Sequence, residues 1–206
     1  MKTARGRRID NGYYLGAALH FRAFMVKELK IGITGLPSVG KTRTLLKIVE
    51  KLEEKETIVG GMVTESIDEG TTRLGFRIVN WLTKEEGILA HIDFTDAKVK
   101  VAGFGVDMNV LEGLGVTAIE QAIREAEVIV IDEVGKMEME SPMFCATVKK
   151  ALDCSKPMIM TLHKKSRNPL LQDIRRRDDI RILEVTKINR NLLPYKIEKL
   201  LEGENI

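Results

Sequence analysis

Eight consecutive residues, Gly35-Leu36-Pro37-Ser38-Val39-Gly40-Lys41-Thr42, carry the spacing GxxxxGK[ST] in full. This order of residue types suits one task, closing a chain around a phosphate group. Glycines let the backbone approach the anion, so that its N–H groups face the oxygens. A helix beginning at the loop turns its positive end toward the same charge. Lys41 is placed to reach β- and γ-phosphates, and the Thr42 hydroxyl to ligate Mg²⁺. An accidental match in a chain of this length is expected about once in a hundred sequences.

Phosphate chemistry needs a second group to hold the cation and prepare the attacking water. Val128-Ile129-Val130-Ile131-Asp132-Glu133 supplies acids at the end of an unbroken β-branched run, the pattern of a strand buried on both faces of a parallel sheet. Asp132 is assigned to Mg²⁺ together with Thr42. Glu133 is assigned as the general base for water. As neighbours on a strand the two acids are expected to point to opposite sides. Lys41 and Glu133 form the expected catalytic pair. The expected nucleotide site comprises Gly35–Thr42 and the segment Val128, Ile129, Val130, Ile131, Asp132, Glu133, Val134 and Gly135.

The loop together with Asp132-Glu133-Val134-Gly135-Lys136-Met137-Glu138 resembles the nucleoside-triphosphatase family that includes the cancer-related nucleoside triphosphatase and its thermophilic relatives. The segments Gly60–Glu65, Arg73–Phe76 and Thr161–Ser166 are similar to that family as well, and the likeness spans about residues 27–202. The resemblance implies a P-loop NTPase fold, Rossmann-like, and slow Mg²⁺-dependent hydrolysis of several nucleoside triphosphates to diphosphates.

The elements that must position these residues alternate. Leu29, Ile31 and Ile33 predict a strand ending at Gly35, and Leu45, Ile48, Val49 and Leu52 an amphipathic helix after Lys41. Thr57–Thr64 reads as a second strand. Residues 70–110 hold β-like runs (Leu74–Asn80, Gly87–Phe94) broken by Gly, Asn and Asp, which predicts a β-hairpin insertion between the two motifs. Thr117 and Glu120 have the spacing of a capping box, opening a helix with Ile119, Ala122, Ile123 and Ala126 on one face. Ser141-Pro142 opens another, Met158–Leu162 is a strand, Asn168-Pro169 starts a short helix and Arg181–Val185 is a strand. A last helix runs from about Pro194 to Glu202, before Gly203. This alternation predicts an α/β fold with a mainly parallel central sheet flanked by helices.

The net charge of +3 is concentrated at the start: residues 1–30 hold seven basic and two acidic residues, leaving −2 for the rest. A near-neutral body argues against nucleic acid as a partner. Residues 1–24 are read as an N-terminal extension, either a transit segment, a flexible tail or a start set too early with Met25 as initiator, and 25–206 as a single domain. No apolar run approaches the roughly 18 residues of a membrane span. Cys145 and Cys154 fit no metal or disulfide spacing, pointing to a reducing, cytoplasmic setting.

Further candidates have two readings each. Lys136 approaches phosphate or stays a solvated loop lysine, and His163 joins the site or is satisfied in its loop. Arg175, Arg176 and Arg177 include an arginine that neutralises transition-state charge, or form with Asp178 and Asp179 a solvated helix end whose charges pair with one another. Glu65 and Arg73 lie where a strand gives way to a hairpin. A P-loop kinase is the alternative function, which Pro37 in the loop allows; the absence of a long arginine-lined insert and the Asp132-Glu133 pair favour hydrolysis. A GTP-dependent switch lacks its guanine-reading NKxD sequence anywhere in the chain.

Overall fold

The computed structural model describes residues 28–204; the readings of residues 1–24 concern residues outside those described. Nine strands form one sheet in the order β5-β6-β4-β3-β2-β7-β8-β1-β9. The strands are β1 Lys30–Gly35, β2 Val59–Glu69, β3 Thr72–Asn80, β4 Glu86–His91, β5 Val99–Val101, β6 Phe104–Val106, β7 Val128–Val134, β8 Met158–His163 and β9 Ile180–Glu184. The half β2-β7-β8-β1-β9 is parallel throughout. The insertion extends it antiparallel through β3, β4, β6 and β5.

Helices cover both faces, which is why the β7 run is apolar at every position. Val128 and Val130 face α1 (Lys41–Glu54) and α5 (Leu193–Leu201), in a core shared with Leu45, Ile48, Val49, Leu52 and Ile197. Ile129 and Ile131 face the opposite way, toward α2 (Val116–Glu125), α3 (Pro142–Asp153) and α4 (Pro169–Arg176), joining Ile119, Ala122, Phe144, Val148 and Ile174. Ser141 caps α3 by accepting the Phe144 N–H, and Asn168 caps α4 by accepting that of Leu170, as the Ser-Pro and Asn-Pro pairs predict.

The fold departs from the sequence expectation in two places. The helix expected to open at a Thr117/Glu120 capping box starts earlier. Asp107 caps it through the N–H groups of Asn109 and Val110, and Met108–Val110 and a π-helical turn over Leu111–Gly115 lead straight into α2. β2 runs five residues beyond its expected end, because its polar tail pairs with β3 outside the core. Lys30, in β1, is buried to 1% exposure; its ammonium donates to the carbonyls of Cys154 (2.7 Å) and Lys156 (2.8 Å) just past the end of α3.

Candidate active site

All the chemistry-bearing residues of the two motifs collect at the carboxyl ends of the parallel strands, where open α/β sheets bind ligands. β1 ends at Gly35, and the chain turns through Ser38 (φ 57°) and Gly40 (φ 107°) before entering α1. Both angles lie in the left-handed region, which Gly40 adopts without the penalty a side chain would bring. No acidic residue occupies the first turn of α1.

β7 and β8 pair regularly as far as Ile131 and Met160, then resume at Val134 and Leu162. One residue of β8, Thr161, therefore faces two of β7, Asp132 and Glu133. This bulge re-aims side chains, and it corrects the expectation that the two acids point to opposite sides: both line the same cleft. The peptide bond joining them is cis. Asp132, 1% exposed, accepts a hydrogen bond from the Thr161 hydroxyl and has the Thr42 hydroxyl beside it. Burial, reinforced by nearby Glu133, pushes its carboxyl up to about 6. Glu133 lies 3.2 Å from the Lys41 ammonium, with the lysine side chain 10% and the glutamate 26% exposed.

The cleft has a volume of about 1250 Å³. Its floor is the loop from Pro37 to Thr42 without Val39. One wall is the outward stripe of α1 (Arg43, Lys47, Glu50, Glu53), and the other is built from Thr64 of β2 and from the insertion, including Phe76 and Ala102. Phe76 is held edge-to-face on Phe104, with ring centres 5.3 Å apart.

Several expected site residues lie beneath the cleft instead of in it. Val128, Ile129, Val130, Ile131 and Val134 are each 0% exposed; they carry the acids and are too deep to meet a nucleotide. Gly35 and Val39 pack against each other and Val185, and Leu36 points to solvent. Among the weaker candidates, Lys136 and His163 line the cleft. The Nδ1 of His163 accepts the Ser166 N–H (3.1 Å), and burial holds its pKa below the usual value. The ring is therefore neutral with its proton on Nε2, a donor and not a base. Glu65 and Arg73 also line the cleft, but Glu65 is paired with Arg77 (2.7 Å) and Arg73 with Asp68 (2.9 Å). The three arginines do not reach it: Arg175 binds the carbonyls of His163, Lys164 and Ser166, and Arg177 pairs with Asp153 and Asp179.

The residue that sequence reasoning passed over is Glu138. It is 5% exposed, and a Cβ placed on Gly135 would sit 2.8 Å from its Oε2 and 3.2 Å from Oε1 of Glu133. Only a residue without a side chain fits between the two acids. Burial, with Glu133 and Asp132 adding to it, pushes Glu138 up to about 8.

A family model described as NTPase matches residues 30–198. This chain belongs to that NTPase family. Among its relatives, nucleoside-triphosphatase THEP1 of Thermofilum pendens is 42% identical over 168 residues, 81% of this chain and 92% of the relative. That of Thermotoga maritima is 41% identical over 174 residues, covering 84% and 96%. Of solved structures, THEP1 from Aquifex aeolicus superposes with a TM-score of 0.76 at 35% identity, over 84% of this chain and 99% of that one. A human cancer-related nucleoside triphosphatase gives 0.69 at 29% identity, over 86% and 100%. Across this NTPase sheet no helix among the described residues is long and apolar enough to cross a membrane.

Within the NTPase site, Glu138 carries a stability signature. Its folded-state pKa lies above the unfolded value, so its contribution is fully present below about pH 4.5 and is lost as pH rises through about 8. Ionisation of the buried acid then costs on the order of a few kcal/mol. Glu138→Gln should melt with the parent at pH 4.5 and above it at pH 9, in Mg²⁺-free buffer. Thermal melts across this range check it; coincident curves at pH 9 would exclude a buried protonated acid.

Proposed function

We propose that this chain is a Mg²⁺-dependent nucleoside-triphosphate phosphohydrolase that cleaves the γ-phosphate of ATP, GTP, CTP, UTP or TTP, with broad base specificity, to give diphosphate and phosphate. The observation that carries this is the meeting of the two motifs: Lys41 lies 3.2 Å from Glu133, and Thr42 stands beside Asp132 in the same cleft. The names of the relatives, nucleoside-triphosphatases, support hydrolysis as the reaction.

The donor set fits Mg²⁺, which takes hard oxygen ligands and is commonly held by one or two carboxylates together with substrate phosphates. Asp132 and Thr42 would hold it. Among the described residues no group of three or more His, Cys, Asp or Glu forms a metal cage, which matches an ion that arrives with its nucleotide. When bound, it offsets the negative charge of the β- and γ-phosphates. The loop N–H groups and Lys41 hold the phosphate chain in place. Glu133 takes the proton from water as its oxygen bonds to the γ-phosphorus, and the nucleoside diphosphate departs. Backbone, lysine and hydroxyl all address phosphate, which leaves the base unread. The two free thiols, Cys145 and Cys154, support a cytoplasmic setting.

Phosphate release measured separately on the five triphosphates tests the reading. All five should be hydrolysed, and chelation of Mg²⁺ should stop them. Asp132→Asn should raise the Mg²⁺ concentration for half-maximal rate about ten- to a hundredfold. Chelator-resistant release, or release from one base alone, would contradict it. The kinase alternative keeps one observation, a cleft larger than the roughly 300–1,000 Å³ of single-ligand pockets; it predicts diphosphate formation only when an acceptor is supplied, with the γ-phosphate carried on that acceptor and none released.

A further inference from the structure

Among the described residues, two buried side-chain oxygens have no hydrogen-bond partner, those of Thr57 and Thr64. A buried hydroxyl left unpaired costs stability, so each calls for a reason. Their positions differ. Thr64 follows Val63, which pairs in parallel register with Asp132. It is the next residue along β2 from that last pair, and it lines the same cleft as Glu133. Thr57 precedes β2 by two residues, at the opposite end of the strand, and does not line the cleft.

Other polar groups of β2 and of the cleft are committed to partners of their own. Glu65 holds Arg77, the Ser66 hydroxyl donates to Asp68, Thr161 donates to Asp132, and Nδ1 of His163 is occupied by Ser166. The sheet order gives the direction of the substrate. β7 and then β2 lie to one side of β1, while β9 lies to the other. With Glu133 at the γ-phosphate, the end of the nucleotide that reacts faces β7 and β2, where Thr64 stands.

We infer that Thr64 is a positioning residue for the hydrolytic water; the inference rests on the proposed hydrolysis with Glu133 as base. In-line attack requires one lone pair of the water aimed at the γ-phosphorus. Glu133 accepts one of its hydrogens. The Thr64 oxygen accepts the other, which fixes the remaining rotation of the water about its bond to Glu133. As the new O–P bond forms and the bridging P–O bond to the diphosphate breaks, the proton passes to Glu133. Thr64 itself makes and breaks no covalent bond. The hydroxyl is thus retained against the interest of the fold, a trade of stability for function.

That trade is measurable. Thr64→Val, which keeps the shape and removes the oxygen, should raise the melting temperature while lowering kcat about tenfold with KM unchanged, the rate equivalent of about one hydrogen bond. Thr64→Ser should restore kcat to within about twofold. Thr57→Val should also raise the melting temperature but leave kcat and KM at parental values. If Thr64→Val does not fold, Thr64→Ala removes the same oxygen with no methyl to accommodate, and the same loss of kcat is expected. Parental kcat in Thr64→Val or Thr64→Ala, with Glu133→Gln inactive, would overturn the role of Thr64 alone. Parental kcat in Glu133→Gln as well would overturn the hydrolytic assignment beneath it.

Discussion

Glu133→Gln should bind Mg²⁺ and nucleoside triphosphate about as tightly as the parent and hydrolyse it 10²–10⁴-fold more slowly. The substitution keeps the size of the side chain and its capacity to accept a hydrogen bond, so the water still has a partner; what disappears is a site for its proton. Phosphoryl transfer asks little covalent help from a protein, and positioning with partial deprotonation is what a carboxylate can add. The expected loss corresponds to about 3–5 kcal/mol of barrier. At 26% exposure, and at the lip of the cleft, Glu133 contributes little to packing, so the melting temperature should hold. Single-turnover hydrolysis paired with equilibrium titration of a non-hydrolysable analogue separates the two effects. Parental turnover would move the base to another residue; Glu65, although paired with Arg77, would be the next to test, since His163 presents a donor.

Lys41→Ala should lower kcat/KM by about 10²–10³, or roughly 2.7–4 kcal/mol, on every nucleotide alike. A lysine that clamps β- and γ-phosphates acts in a site shielded from water, where its charge is worth far more than on the surface. The uniformity across bases is part of the expectation, because the contact is to phosphate. Lys41 belongs to neither core cluster, so calorimetry should show an intact fold. Unchanged turnover on all nucleotides would remove the phosphate-loop assignment altogether.

The features legible in the sequence were those written in consecutive residues. The phosphate loop is a local object, with glycines, lysine and threonine within eight positions, and it folds as read. The β7 run is equally local, since apolar residues at every step leave no exposed face. Contacts made between distant segments were not legible. Thr161 donates to Asp132 across two strands, and only the register of β7 against β8 puts them together. Glu138 follows a glycine and a lysine in what reads as a polar loop, and a 3-10 turn over Glu138–Glu140 folds it back under the acids. Thr64 was read as the last residue of its strand; pairing with β3 carries the strand past it. Val128–Ile131 failed as ligands for the same reason they succeeded as a strand: a residue buried on both faces of a sheet has no surface left for a nucleotide.

The place of β1 between β8 and β9 has a consequence for how the chain comes into being. Among the described residues β1 is the first strand made, yet its two neighbours begin at Met158 and Ile180. At about 5–20 residues per second of synthesis, Ile31 and Ile33 wait on the order of ten seconds for a partner. The antiparallel insertion, whose strands are joined by short turns, is complete long before then and requires none of them. A nascent chain halted ahead of Met158 would already contain the loop lysine and both acids, with no strand beside β1 to fix their separation. The separation of Lys41 from the two acids is therefore set only after β8 and β9 have left the ribosome.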